Sequence, residues 1–156
     1  MIINTNYFTF NTNNKSFTGK IIDVKGISVY FKCGKIHRED GPAITWRDGS
    51  YEYRIDGLLH REDGPASKTK RTELWAIQGK THRQGGPAHI TYNRYGIVVC
   101  RAWFRDGRLH REDGPAVKAK GQEDYFLNGK QYDREAWKSA VREYKLGEFL
   151  EDGQDS

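Results

Sequence analysis

A seven-residue string, HREDGPA, occurs three times in this chain, at residues 37 to 43, 60 to 66 and 110 to 116. An altered version, HRQGGPA, lies at residues 82 to 88. Successive histidines of these strings are 23, 22 and 28 residues apart. Because recurrence at a nearly fixed interval is the signature of a repeat architecture, this string constrains the fold more than any other feature.

Further positions recur with the string. A glycine stands three residues before each of these histidines and an aromatic residue four before that glycine, and a fifth such glycine, Gly129, is followed by Tyr132 in the histidine position. The period of about 22 residues is too short for a strand, a helix and two connections, but it fits two short strands and two turns. Regular spacing favours a repeating core position for the aromatic residues over a nucleobase-stacking role. These residues are Tyr30, Tyr53, Trp75, Trp103 and Tyr125.

Turn residues separate the predicted strands. Asp48-Gly49, Asp106-Gly107 and Asn128-Gly129 are hairpin signals, since glycine, Asn and Asp tolerate the positive φ of tight hairpin turns. An insertion of roughly six residues in HITYNRYGIVVCRAWF indicates one longer hairpin or loop. The sequence therefore predicts a mainly β fold, an array of antiparallel β-hairpin repeats that forms an extended or rolled sheet.

The ends of the chain differ from the array. DREAWKSAVREYK has Asp133 as a helix N-cap and apolar residues at helical spacing, with Gly147 as a stop. Such an amphipathic helix would cover the last strand edge of an open sheet. We predict a single domain. It consists of an N-terminal β cap (1–27), four HREDGPA-type repeats with a degenerate fifth (28–132), a capping helix (133–147) and an acidic tail (148–156).

Composition narrows the class of protein. The net charge of +5 is compatible with a polyanionic partner and equally with plain solubility. Cys33 and Cys100, the only cysteines, have neither metal-ligand spacing nor a disulfide framework, which favours a reducing compartment. No run of apolar residues is long enough to span a membrane, and the N-terminus is unlike a signal peptide. We expect an intracellular protein without metal, cofactor or membrane partner.

The string itself has a catalytic and a structural interpretation. His with Glu or Asp and an Arg anion clamp would suit a hydrolase, but an active site is needed once and the string recurs. Gln84 and Gly85 also replace both acids in the altered string. We therefore favour a structural joint. In this interpretation the glycine adopts a positive φ, the proline fixes the turn, the alanine packs closely, and His and Arg donate to free carbonyl groups.

A binding role is the alternative. If the repeats stack in register, the histidines and arginines form neighbouring rows that would attract phosphates or an acidic protein surface. The adjacent acids disfavour nucleic acid. The candidate binding residues are His37, Arg38, His60, Arg61, His82, Arg83, His110 and Arg111.

The strings with their flanks, CGKIHREDGPA, DGLLHREDGPA and DGRLHREDGPA, resemble repeat proteins of large bacteriophages and giant DNA viruses. More loosely, YFLNGK is similar to MORN-type hairpin repeats. The resemblance implies a viral β-repeat protein of the host cytoplasm, without known catalytic residues. Gln84, Gly85 and Tyr132 depart from the pattern.

We expect a non-enzymatic interaction protein that binds, and can inhibit, a host protein such as a defence component. One alternative is a nucleotide-sequestering protein that uses the His and Arg rows. The other is a hydrolase that uses one His-Arg-Glu-Asp set.

Overall fold

The structure, a computed structural model, describes residues 17 to 152 of the 156-residue chain. Most of the predicted N-terminal cap (1–27) and part of the predicted acidic tail (148–156) lie outside the described residues. The backbone contacts divide the chain into two compact units, Met1–Lys80 (unit 1) and Thr81–Ser156 (unit 2), and the single domain stays a prediction.

The fold is mainly β, with antiparallel strands in hairpins and one C-terminal helix, which confirms the predicted fold class at this level. The strands of unit 1 are β1 Gly19–Ile22, β2 Ser28–Lys32, β3 Lys35–Ile36, β4 Ile44–Thr45, β5 Tyr51–Glu52, β6 Arg54–Ile55, β7 Leu58–Leu59, β8 Ser67–Lys68, β9 Thr72–Leu74 and β10 Ala76–Ile77. β11 Lys80–Thr81 contains the division between the units. In unit 2 the elements are β12 His89–Tyr92, β13 Val98–Ala102, β14 Phe104–Arg105, β15 Arg108–Leu109, β16 Val117–Ala119, β17 Gln122–Leu127, β18 Lys130–Tyr132 and α1 Arg134–Asp152.

In unit 1 the main sheet has the strand order β1-β2-β4-β5-β8-β9, and neighbouring strands are antiparallel. Val29 faces Ile44 across one pair, and Ile44 faces Glu52 across the next, so these side chains lie on the same face of the sheet. Val29, Ile44 and Phe31 form the buried cluster of this unit, with Ile27 and Trp46 packed partly against it.

In unit 2 the order is β12-β13-β16-β17-β18, again antiparallel. β12 and β13 are four and five residues long, so the predicted insertion lies in a lengthened hairpin. The register between them shifts at Thr91 and Tyr92, where β13 carries one extra residue. Such a β-bulge bends the strand and re-aims its side chains.

The C-terminal helix packs on the last strands of unit 2. Trp137 and Val141 bury against Tyr125 and Leu127, as the amphipathic pattern predicts. Asp133 caps the helix, because its Oδ1 accepts the amide protons of the two residues that follow Arg134. The sequence places the helix end at residue 147, but α1 continues through Gly147 to Asp152, since one glycine inside a helix costs only about 1 kcal/mol.

Five tight turns join the short hairpins, and each has two successive residues in the left-handed region. Turns of this kind match the right-handed twist of the strands they connect. The pairs and their φ values are Cys33-Gly34 (49° and 74°), Asp56-Gly57 (50° and 85°), Gln78-Gly79 (48° and 77°), Asp106-Gly107 (51° and 81°) and Asn128-Gly129 (51° and 85°). Among the described residues, no helix is apolar enough over a sufficient length to cross a bilayer.

The turn at Gln78 predicts a stabilising substitution. The left-handed conformation costs most side chains about 1 to 2 kcal/mol, and Asn tolerates it better than Gln. Gln78→Asn should therefore raise the free energy of unfolding, by about 0.5 to 1 kcal/mol, in chemical denaturation. Gly79→Ala is the opposing control and should lower it, because Gly79 has a φ of +77° and an added Cβ would lie 3.3 Å from Leu58 Cδ2. A loss of stability in Gln78→Asn would contradict this account of the turn.

Candidate functional site

The four strings connect the short hairpins to the next strand of each sheet. In unit 1 residues 37 to 43 join β3 to β4, and residues 60 to 66 join β7 to β8. The β4-β5 hairpin lies between these two segments and brings the chain back to the same side of the sheet. Both segments therefore lie at one edge, where these strands begin or end, and we call it the string edge. The turns that join β1 to β2, β4 to β5 and β8 to β9 lie at the opposite, distal edge. In the sheet of unit 2 the turns between β12 and β13 and between β16 and β17 lie at the edge opposite the string that joins β15 to β16, which we call the distal edge of that unit.

The histidine of each string accepts a hydrogen bond from the next left-handed turn. The donor is the backbone amide of the first residue of that turn. The Nδ1···N pairs are His37 with Asp56 (3.1 Å), His60 with Gln78 (3.2 Å), His82 with Asp106 (3.2 Å) and His110 with Asn128 (3.1 Å). In three strings Nδ1 also lies near a side-chain oxygen of the same turn residue, at 3.4 Å from Asp56 Oδ1, 3.2 Å from Asp106 Oδ1 and 2.7 Å from Asn128 Oδ1. Because the turn amide donates to Nδ1, a neutral imidazole in this position carries its proton on Nε2.

The second residue of each turn, a glycine, forms a parallel contact. Its amide donates to the carbonyl oxygen of the residue that precedes the histidine. The bonds are Gly57 to Ile36 (2.8 Å), Gly79 to Leu59 (2.8 Å), Gly107 to Thr81 (2.9 Å) and Gly129 to Leu109 (2.8 Å). Both amides of a turn are thus satisfied by the preceding string segment, which fixes the turn against it.

In the first and last strings the glutamate accepts a hydrogen bond from the other ring nitrogen of the histidine, whereas in the second string His60 Nε2 lies 3.8 Å from Glu62. Nε2 lies 3.0 Å from the Glu39 carboxylate in His37 and 3.1 Å from that of Glu112 in His110. Lys32 also donates to Glu39 at 2.7 Å, and the hydrogen bonds from Lys32 and then from His37 lower the pKa of this carboxyl. The glutamate therefore supports the ring orientation that the turn requires.

The arginine of each intact string stacks on the aromatic residue of its own repeat. The guanidinium carbon lies near the ring centroid in Arg38 over Tyr30 (4.1 Å), Arg61 over Tyr53 (4.1 Å) and Arg111 over Trp103 (3.9 Å). In the second string, Nε donates to Asp63 at 2.7 Å and a terminal nitrogen donates to the Pro65 carbonyl at 3.4 Å. This hydrogen bond from Arg61 lowers the pKa of Asp63, and Asp40 and Asp113 respond in the same way to Arg38 and Arg111.

The glycine of Gly-Pro-Ala does not have the predicted positive φ. Instead, the arginine of the same string lies against it, so that an added Cβ would meet the guanidinium carbon. The distances from this Cβ to Cζ are 3.1 Å at Gly41, 2.8 Å at Gly64, 3.1 Å at Gly86 and 3.3 Å at Gly114. The glycine at this position leaves space for the guanidinium, most tightly at Gly64 and least at Gly114, and is not required for a positive φ. In the altered string the left-handed residue is Gly85, with a φ of +73°.

The alanine that ends each string is the most buried residue of the string. Ala43, Ala66, Ala88 and Ala116 are each 0% exposed. An alanine at this position allows the closest approach of neighbouring strands, as the sequence predicts.

The predicted binding residues are therefore placed in internal contacts. The His37 and His110 side chains are 8% and 5% exposed, whereas those of His60 and His82 are 24% and 31% exposed. Arg83 keeps the bond to the carbonyl oxygen of the string's proline, at 3.2 Å. A binding role for the eight residues stays a prediction, and the contacts above are those of a structural joint.

Metal ligands, thiols and similarity to known proteins were the other possible indications of a function. Residues 17 to 152 contain no cluster of three or more His, Cys, Asp or Glu side chains that could hold a metal ion. Cys33 and Cys100 are free thiols. Comparison of the chain with protein-family models, with curated proteins and with solved structures finds no match.

Two surface features at the distal edges were not predicted from the sequence. In unit 2 the long hairpin exposes large apolar side chains around its turn: Tyr95 is 70% exposed, Ile97 61% and Val99 39%. In unit 1 a groove of about 500 Å³ lies beside Trp46. The insertion in the sequence was the available signal for the hairpin, whereas no sequence pattern marks the groove.

The histidine bonds predict graded losses of stability within unit 1. His37→Ala removes the acceptor of a part-buried amide and should lower the free energy of unfolding by about 1 to 3 kcal/mol. His60→Ala should cost less, because water reaches the exposed bond to Gln78. His37→Asn places an amide oxygen near the Nδ1 position and should restore part of the loss. Chemical denaturation of the three variants measures the order, and a larger loss in His60→Ala would oppose the structural interpretation.

The contact between the arginine and the glycine of each string predicts that glycine-to-alanine variants of different strings differ in stability. Gly64→Ala would force Arg61 off the Tyr53 ring, and the lost stacking and hydrogen bonds should lower the free energy of unfolding by about 1 kcal/mol or more. Gly114→Ala leaves 3.3 Å to Cζ of Arg111 and should be nearly neutral, since alanine also restricts the unfolded chain. Equal losses of stability in the two variants, measured by thermal or chemical denaturation, would show that the distance to the arginine does not set the cost of adding a Cβ to these glycines.

Proposed function

We propose that the chain is a non-enzymatic interaction protein that binds a host protein, such as a defence component, in the host cytoplasm. The resemblance of its strings to phage and giant-virus repeat proteins motivates the host partner. In this proposal the hairpins repeat at a period of about 22 residues in an extended or rolled sheet. The strings hold the sheet together, and the binding surface lies elsewhere.

The observation that carries the proposal is the exposed cluster on the β12-β13 hairpin. Tyr95, Ile97 and Val99 leave water-exposed apolar surface on the longest hairpin of unit 2, close to one turn. The guanidinium of Arg94 lies 4.8 Å from the Tyr95 ring centroid. Tyr and Arg around an apolar centre are the residue types that dominate the binding energy of protein interfaces.

The charge near the cluster favours an acidic partner surface. Arg94 and Arg101 are both exposed, and neither side chain has an ion-pair partner within residues 17 to 152. A partner with an apolar depression rimmed by carboxylates would bury the Tyr95 ring and pair with the two guanidinium groups. Such a surface requires no catalytic group from this chain.

The two alternatives use the string residues instead. A nucleotide held by the His and Arg rows would have to compete with the turn amides for Nδ1 and with Asp63 and its equivalents for the guanidinium groups. A hydrolase would need one string that differs from the others in its contacts, whereas His37 and His110 make the same bonds to a turn amide and to a glutamate. Neither alternative is favoured by a contact of its own.

The proposal predicts a localised loss of binding. The immobilised full chain should capture a host protein, which is identified by mass spectrometry, purified and titrated by calorimetry. The double variant Tyr95→Ser/Ile97→Ser should weaken this binding by at least about 100-fold, because two interface centres of about 2 kcal/mol each are removed. Val24→Ser is the matched control, because Val24 is an apolar residue that is 87% exposed in a distal turn of unit 1. This variant should bind the partner with unchanged affinity.

Two results would contradict the proposal. One is the absence of a stoichiometric partner in lysates of the host. The other is a partner whose affinity is unchanged in Tyr95→Ser/Ile97→Ser.

A further inference from the structure

The groove of unit 1 lies at the distal edge of that unit, and none of the string residues lines it. It has a volume of about 500 Å³, within the range of sites for small organic ligands. Two distal turns border it, residues 23 to 27 and 46 to 50, and Ser67 and Thr69 line it from β8 and the turn that follows.

Trp46 gives the groove an aromatic surface held in a fixed position. Its backbone closes the second turn: the Trp46 amide donates to the Ser50 carbonyl at 2.9 Å, and the Gly49 amide donates to the Trp46 carbonyl at 3.0 Å. The side chain packs partly against the buried cluster of the unit, and Ile27 lies with it in the lining. An indole anchored in this way is a preorganised stacking surface.

Two cations rim the groove without internal partners. Lys25 and Arg47 are exposed, and neither side chain has an ion-pair partner within the described residues. The aliphatic part of Arg47 lies 3.9 Å from the position of a Cβ on Gly26, so the two turns that carry the cations are close to each other. Both charges therefore border the same cavity.

The carboxylates of the lining are already engaged. Asp48 accepts the Ser50 amide of its own turn at 3.0 Å, and Glu52 binds Arg54 at 2.7 Å. Arg54 thus neutralises Glu52, whereas Asp48 keeps its negative charge, so Lys25, Arg47 and Asp48 together leave the lining with one net positive charge. The groove offers positive charge beside an aromatic face, and this combination fits a ligand that carries a planar ring and an anion.

We propose that the groove binds a nucleobase joined to a phosphate. The base stacks on Trp46, the phosphate is bound by Lys25 and Arg47, and the Ser67 hydroxyl is available to the sugar. Stacking and phosphate contacts of this kind recognise a free nucleotide and a nucleotide within a single strand by the same chemistry. The site is independent of the protein partner proposed above and uses none of the string residues.

The test uses calorimetry on the full chain with adenosine monophosphate and with an oligonucleotide of eight deoxyadenosines. Trp46→Ala should weaken the binding of the better ligand by about tenfold or more, and Trp46→Phe should retain most of it. Lys25→Gln/Arg47→Gln should weaken binding and reduce its salt dependence. Lys120→Gln, which removes an exposed cation from the β16-β17 turn of unit 2, is the matched control and should bind as the unaltered chain does. Circular dichroism verifies the fold of each variant.

The two ligands distinguish the source of the nucleotide. If adenosine monophosphate and the oligonucleotide bind with equal affinity per site, a free nucleotide is a sufficient ligand. If only the oligonucleotide binds, and Trp46→Ala weakens its binding, the ligand is a nucleotide within a strand. No heat with either ligand at millimolar concentration overturns the proposal. Binding that is insensitive to Trp46→Ala, or that Lys120→Gln weakens equally, also overturns it, because such binding reflects diffuse charge. Trp46→Ala should still capture the host protein proposed above, so failure of the nucleotide proposal can be distinguished from failure of the protein-binding proposal.

Discussion

A tight left-handed turn has two backbone amides that point away from its own hairpin, and each needs an acceptor. For four of the five turns the preceding string segment supplies both, through a histidine Nδ1 and the carbonyl oxygen before it, at distances of 2.8 to 3.2 Å. The first turn, Cys33-Gly34, donates instead to Thr18 Oγ1 at 3.0 Å and to the Phe17 carbonyl oxygen at 2.8 Å. The bonds to Asp56 and Asn128 are part-buried, where an unpaired amide costs about 1 to 3 kcal/mol, so these two bonds fix their hairpins more strongly than the exposed bonds to Gln78 and Asp106. The remaining residues of the string follow from this constraint. In the first and last strings the glutamate orients the ring, and in each intact string the arginine covers the aromatic residue of its own repeat.

The same constraint explains a core made of small residues. The arginine occupies the space above the glycine, and the alanine after the proline is fully buried at 0% exposure. Larger apolar residues are buried in only two clusters of the described chain, around Ile44 and around Trp137. Polar contacts therefore position the strands, and little apolar volume is needed between them. This arrangement suits a chain with 36% hydrophobic residues and 30% charged residues.

The sequence was sufficient for those features that depend on local chemistry. The Asp106-Gly107 and Asn128-Gly129 turns, the Asp133 cap and the buried alanines were all predicted, because each rests on the conformational preference or size of one or two residues. The glycine before each proline was misassigned, since a glycine required for space and one required for a positive φ look the same in a sequence. The acceptor role of His37 was missed because its donor is 19 residues away. The groove beside Trp46 was missed because its lining comes from separate turns.

The tautomer of the string histidines tests the central claim most directly. Nitrogen-15 NMR of the imidazole rings at neutral pH distinguishes a proton on Nε2 from one on Nδ1, with His89, outside the strings, as an internal comparison. The account predicts the Nε2–H form at His37, His60, His82 and His110, because each Nδ1 accepts a turn amide. Rings protonated on Nδ1, or the averaged signal of a freely exchanging imidazole, would contradict it.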